Sequence, residues 1–318
     1  MREAHIAEAT AAKGKTPRCT VAICTYRRYA LLAEAIDSVL EDRDASNDPD
    51  CRIMVVDNSP DAAEAHAFAD TYTRSETAGL AFTHLGTPGL ANARNFALTH
   101  CDTEILAFID DDARVRPGWI DAMLEGFDRF GPGTAVVGGR VVPRWGVPRP
   151  SWLHDDMLVS LSLVDWGGDL RLAGLDEWFA GTNIAFRTHH LRGAALFRTD
   201  LGRSGGHTLL GNEEIDVMRS LHAAGLRPVY QPRAEVEHLI PASRLTQSWF
   251  RRRYVWQAVS DALMSPELLA RERDHGLNRV PEAARRALLD NADTTVGFRD
   301  RILGLHFLVR VALAPEDE

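Results

Sequence analysis

Between Cys19 and Asp112, short and almost wholly apolar runs alternate with stretches in which apolar residues return every three or four positions. The runs CTVAICT, RIMVVD, LAFTHL and EILAFI read as strands. The stretches between them read as helices: Leu31, Leu32, Ala35, Ile36, Val39 and Leu40 keep helical spacing, PDAAEAHAFADTY is alanine-rich, and LANARNFALTH follows the turn from Gly86 to Gly89. This order argues for a parallel sheet covered by helices, a β-α-β-α-β-α-β half. In open sheets of this kind ligands sit beyond the carboxyl ends of the strands. Thr25, Tyr26, Arg27, Asp57, Asn58, Asp110, Asp111 and Asp112 fall at such ends and are expected to converge on one crevice.

After Pro117 the pattern predicts a helix over GWIDAMLEGFDRF, then further strands in TAVVGGRVVP, and a second lobe opening in the Pro/Trp-rich stretch from Pro143 to Trp152. WFAGTNIAF and AEVEH read as short strands around a helix, NEEIDVMRSLHAAG, with Asn212 as its candidate N-cap and Gly225 as its stop. From Pro241 onward the pattern is mostly helical. The expected division is a mobile tail over residues 1–17, an α/β domain over 18–240 with halves 18–116 and 117–240, and a helical region over 241–318.

Composition narrows the class. The 318 residues are 45% hydrophobic, enough for a real core, and 36 Lys and Arg against 45 Asp and Glu argue against nucleic acid as a general partner. Cys19, Cys24, Cys51 and Cys101 lack metal-site spacing and read as reduced, buried thiols. The first residues lack the apolar core of a secretory signal, so a cytoplasmic protein is expected. Residues 296–313 carry Arg299, Asp300, Arg301 and Arg310, too many charges for a membrane span, and read as an amphipathic docking helix. WFRRRYVW, residues 249–256, has two readings: peripheral contact with an anionic acceptor or a phospholipid surface, or a helix that buries its aromatics and solvates its arginines. His189 and His190 lack a third ligand at sensible spacing and read as surface residues.

The chemistry concentrates at Asp110, Asp111 and Asp112. Three adjacent acids at the mouth of a hydrophobic strand repel one another, and a hard divalent cation turns that cost into a binding site. Asp57 can accept from a ribose hydroxyl or a base N–H. The turn after the first strand, CTYRRYA, has no glycine for a backbone phosphate cradle. Tyr26 instead offers a face for stacking a base, and Arg27 or Arg28 a charge for phosphate.

VAICTYRR, VVDNSPD, GLANARNFAL, FIDDDARVRPGWI, FAGTNIAFRT, GNEEIDVMRSLHAAG and VEH, in this order over about residues 19–240, resemble the family-two glycosyltransferases of the GT-A fold. The resemblance implies a Rossmann-like nucleotide-binding half with a mixed central sheet, here with a C-terminal helical extension. It implies a nucleotide-diphosphate sugar donor, UDP-linked, an acceptor hydroxyl, and Mg2+ or Mn2+. By residue it implies Asp57 at the base, Asp110 or Asp111 at the ribose, Asp112 with Asp110 and His238 at the metal, and Arg94 near the nucleotide. Gly181, Thr182 and Asn183 would lie against sugar or acceptor. Of Glu213 and Glu214, the second would be the general base of an inverting transfer. A sugar-nucleotidyltransferase would need a glycine-rich loop that CTYRRYA lacks, and a non-catalytic nucleotide-binding protein would have no need of Glu214.

Overall fold

The structure is a computed structural model and describes residues 17–73, 79–174, 176–191, 197–203, 208–267, 269–271, 277–289 and 295–315. Apart from Pro17, the expected tail lies outside them. The described residues form two compact units. One gathers those of Met1–Val142, Val164–Thr199 and Glu214–His238, the other those of Pro143–Leu163, Asp200–Glu213 and Leu239–Glu318. This differs from the expected division at residue 240, because two internal segments group with the C-terminal helices.

The first unit is built on one sheet. Strands β1 (Cys19–Thr25), β2 (Arg52–Asp57), β3 (Leu80–His84) and β4 (Ile105–Asp110) run parallel in the order β3-β2-β1-β4, and β1 and β2 coincide with CTVAICT and RIMVVD. Every residue of β1 is buried, which is why it lacks a polar alternation. Helices α1 (Tyr29–Ala45), α2 (Ala62–Thr73) and α3 (Leu90–His100) connect these strands. Beyond β4 the sheet becomes mixed. It continues through β5 (Ala113–Val115), α4 (Trp119–Phe130), β6 (Thr134–Trp145), β7 (Arg171–Leu172), β8 (Asn183–Arg187), α5 (Thr188–Leu191), α6 (Glu213–Ala223) and β9 (Arg227–Ile240), with β8, β6, β9 and β5 following β4 in spatial order and β7 pairing β9.

Three local expectations change. TAVVGGRVVP is one strand: a Cβ at Gly138 would lie 1.9 Å from the Phe179 ring and one at Gly139 1.9 Å from the Ala234 carbonyl oxygen, so these glycines serve close packing. AEVEH is the end of the longer β9, which starts before it and contains Pro228 and Pro232, residues that weaken a strand reading. Within WFAGTNIAF only the part from Asn183 onward pairs. His189 and His190 stand in the short α5, one exposed and one half-buried.

The second unit contains α7 (Gln247–Met264), α8 (Val280–Leu289), α9 (Thr295–Leu313) and the 3-10 turn Asp155–Leu161. Thr246 caps α7 by accepting from the Trp249 N–H at 3.1 Å. Trp249, Phe250 and Tyr254 are buried with Met157, Leu161, Phe298 and Ile302, Arg251 lies over the Phe298 ring, and Arg252 is exposed. Of the two readings of residues 249–256, this is the helix that buries its aromatics. Apolar contacts of Leu153, Met157 and Leu161 explain why Pro143–Leu163 joins this unit. Among the described residues no helix is long and apolar enough to cross a membrane. All four cysteines are buried and none is in a disulfide.

Candidate active site

Parallel register aligns the strand ends: Thr25 stands beside Asp57 and Cys24 beside Asp110. Asp57 is buried and oriented by two donors, the Ser59 N–H to Oδ1 at 2.8 Å and the Tyr29 hydroxyl to Oδ2 at 2.9 Å. Burial, reinforced by Asp57, pushes the Tyr29 hydroxyl up to about 12, so it remains a donor across the neutral range. Tyr29 and Ser59 fall within CTYRRYA and VVDNSPD, but neither is singled out by the sequence. Both are local to the ends of β1 and β2, and that proximity was the available signal.

The turn after β1 separates its two arginines. Arg27 has φ +57°, donates its backbone N–H to Ser59 Oγ at 2.9 Å, and lays its exposed guanidinium over the half-buried Tyr26 ring. Arg28 points to the acids, with Nη1 2.5 Å from Asp112 Oδ2 and Nε 3.1 Å from Asp111 Oδ2. Of the two arginines that the sequence offers for phosphate, Arg28 is the one turned to the aspartates. Thr25 donates its hydroxyl to Asp111 Oδ2 at 2.7 Å, so its side chain serves the carboxylate cluster. Asp111 is fully buried, and burial pushes its carboxyl up to about 7 against the pull of Arg28. Asp111 is enclosed, whereas the Asp110 side chain is 30% exposed.

Asp110, Asp112 and His238 each offer a ligand atom, and these atoms lie within 4.8 Å of one another. The register of β5 against β9 sets Ala113 opposite His238, which brings the imidazole to the residue before it; His238 Nε2 is 3.3 Å from Asp112 Oδ1. Two carboxylates and one imidazole fit a divalent cation that accepts oxygen and nitrogen donors.

Arg94 on α3 is buried between aromatic rings and acids. Its guanidinium, 3% exposed, lies 5.7 Å from the Phe108 ring centre and 5.8 Å from that of Phe197. Asn95 fastens Phe197 by exchanging two 2.8 Å hydrogen bonds with its backbone. Arg94 reaches Asp110 Oδ1 at 3.7 Å and Glu214 Oε2 at 3.7 Å. Gly181 completes the pocket: a Cβ there would lie 2.1 Å from Arg94 Nη2, and the Gly181 N–H donates to Glu214 Oε1 at 3.1 Å. The missing side chain thus makes room for Arg94, where a substrate was expected.

Asn183 is also committed to the fold. It is fully buried, accepts from Trp119 Nε1 and donates to the carbonyls of Arg140 and Ala234, each at 2.8 Å. Thr182 is buried beside it. The two acids of α6 differ: Glu213 is buried close to Gly202, whereas the Glu214 side chain keeps 15% exposure.

The family model described as Glycosyl transferase family 2 matches residues 20–193. The chain belongs to this family. Among curated relatives of this glycosyltransferase, a glucosyl-dolichyl phosphate glucuronosyltransferase of Haloferax volcanii is 24% identical over 256 residues, covering 78% of this chain and 77% of the relative. The succinoglycan biosynthesis protein ExoM of Rhizobium meliloti is 27% identical over 269 residues, covering 84% and 79%. Solved GT-A enzymes share the fold. The mannosyltransferase PcManGT from Pyrobaculum calidifontis, in complex with GDP-Man and Mn2+, aligns with TM-score 0.54 and 20% identity over 93% of this chain and 74% of its own. GalNAc-T7 with UDP, GalNAc and Mn2+ aligns with TM-score 0.52 and 14% identity over 77% of this chain, which spans about half (49%) of that protein. The family-model match ends before Glu214 and His238, two residues that the sequence resemblance already singles out and that the geometry brings to Arg94 and Asp112.

Proposed function

We propose that this glycosyltransferase is metal-dependent and inverting, and moves a sugar from a UDP-linked donor to an acceptor hydroxyl. The carrying observation is the single buried Arg94 guanidinium at 3.7 Å from both Asp110 and Glu214, which ties a metal-ligand carboxylate and a candidate base into one network. Asp110, Asp112 and His238 would hold the ion, and the imidazole in the set favours Mn2+ over Mg2+. Once bound, the ion supplies positive charge to the leaving diphosphate.

The remaining work falls to the chain. Asp57 accepts the base N–H while Tyr29 and Ser59 fix its carboxylate. Tyr26 offers its ring to the base. Glu214, steered by the Gly181 N–H and Arg94, takes the proton of the attacking hydroxyl. Direct attack on the face opposite the leaving group needs no covalent intermediate and inverts the anomeric centre. The names of the two curated relatives support a carbohydrate hydroxyl as acceptor.

A thermal-shift panel of UDP, GDP, TDP and CMP with and without Mn2+ tests the donor, since a ligand of the native state raises Tm by mass action. The largest shift is expected with UDP and Mn2+ together. Glu214→Gln should keep donor binding and lower kcat about 10²–10⁴-fold, more than Glu213→Gln. Normal turnover in Glu214→Gln removes the base, and a retained anomer by NMR overturns the single displacement.

A further inference from the structure

We infer that helix α7 is a positioning element of the active site: through Arg253, Gln257, Ser260 and Asp261 it fixes residues 209–212, and with them the start of α6, where the acid pair stands. The inference rests on the reading of Glu214 as the base.

Those four α7 residues return at helical spacing along one face. Each takes hold of the run that leads into α6. Arg253 Nη1 donates to the Leu209 carbonyl at 3.1 Å, and Ser260 Oγ accepts the Gly211 N–H at 3.1 Å while donating to the Trp256 carbonyl at 2.9 Å. Asn212 is held at both ends of its amide, donating to Asp261 Oδ1 at 3.2 Å and accepting from Gln257 Nε2 at 3.2 Å. Gln257 also donates to Asp261 Oδ1 at 2.8 Å, which locks the three side chains together. Behind them, Asp261 Oδ2 faces His306 Nε2 at 3.5 Å and Arg310 Nη1 at 3.6 Å, both on α9.

Asn212 explains why so many polar groups converge there. It has φ +77°, a left-handed conformation that asparagine tolerates but that raises its energy. Its amide is spent on Gln257 and Asp261, so the N-cap role expected from sequence is not the one it plays. A left-handed residue directly before Glu213 sets the direction in which α6 departs. Releasing it lets the first turn of α6 shift, and a carboxylate in that turn loses its alignment while the donor side keeps its own residues. The family match ends at residue 193, so none of this apparatus lies within it.

The test is a double-mutant cycle on the whole 318-residue chain, with Mn2+, candidate UDP-sugars and a saturating acceptor. Asp261→Ala should lower kcat about 10–10²-fold, the order expected for a misplaced catalytic group, with the calorimetric Kd for UDP and Mn2+ unchanged within about twofold. In the Glu214→Gln background Asp261→Ala should cost nothing more, because a group that acts through Glu214 has nothing left to position. Asn212→Gly keeps the left-handed backbone and deletes the ties, so it should repeat the kcat loss with a smaller effect on Tm; it also serves if Asp261→Ala folds poorly. An impaired Glu214→Gln beside normal kcat in folded Asp261→Ala and Asn212→Gly, or an additive loss in the double variant, overturns the inference alone. Normal turnover in Glu214→Gln removes the base reading and this inference with it.

Discussion

Gly181→Ala is the smallest change that probes the Arg94 network. The new methyl would stand 2.1 Å from Nη2, 2.7 Å from Cζ and 2.8 Å from Nη1 of Arg94, and must reach about 3.4 Å before the contact becomes ordinary. An exposed guanidinium would swing aside at little cost. This one is enclosed between Phe108 and Phe197, so its retreat stretches the links to Asp110 and Glu214. Overpacking of this kind costs about 1–3 kcal/mol of stability. A displacement on the order of 1 Å in a group that aims the base costs about 10²-fold in rate. Steady-state kinetics should therefore show kcat down about 10²-fold, with uridine affinity, which depends on Asp57, close to wild type. Arg94→Ala should absorb the effect, the double variant being no slower than Arg94→Ala alone. A folded Gly181→Ala enzyme with wild-type kcat would refute the reasoning, since the methyl cannot be accommodated without moving Arg94.

Asp112→Asn, or EDTA with the wild type, should weaken UDP binding at least about 10-fold in calorimetry while Asp57→Ala also weakens free uridine; UDP binding indifferent to both Asp112→Asn and EDTA would remove the metal assignment. Asn183→Ala orphans the Trp119 indole N–H and withdraws a donor from two carbonyls; at about 3 kcal/mol in all, it should lower Tm by roughly 6–12 °C in a thermal melt. Burial opposes it, yet His306, Gln257 and Arg310 hold the Asp261 carboxyl below its usual range. A carboxyl depressed on folding adds stability that is complete above its unfolded pKa, about 3.9, and is lost as pH falls through the lower folded value. The stability gap between wild type and Asp261→Asn should thus be full at neutral pH and close in strong acid, as read by denaturant melts.

The first strands were legible because β1, β2 and β4 are apolar runs ended by polar residues, and the acids at their ends stand out by their mutual repulsion alone. Other features depend on information that spacing does not carry. The left-handed backbone at Arg27 decides which of two adjacent arginines meets the aspartates. Gly181 and Arg94 are far apart in the chain, so the void in one that receives the other is invisible until both are placed. Asn183 reads as a ligand-facing amide in a motif and proves to be a strand tie. The run from 209 to 212 has no periodicity, and its partners on α7 look in sequence like an ordinary solvated helix face.

By closing on Asp111 and Asp112, Arg28 gives the acidic cluster a tethered counter-charge that arrives with the chain itself. The repulsion among three adjacent acids is thus offset by a cation that every copy of the polypeptide carries in fixed proportion.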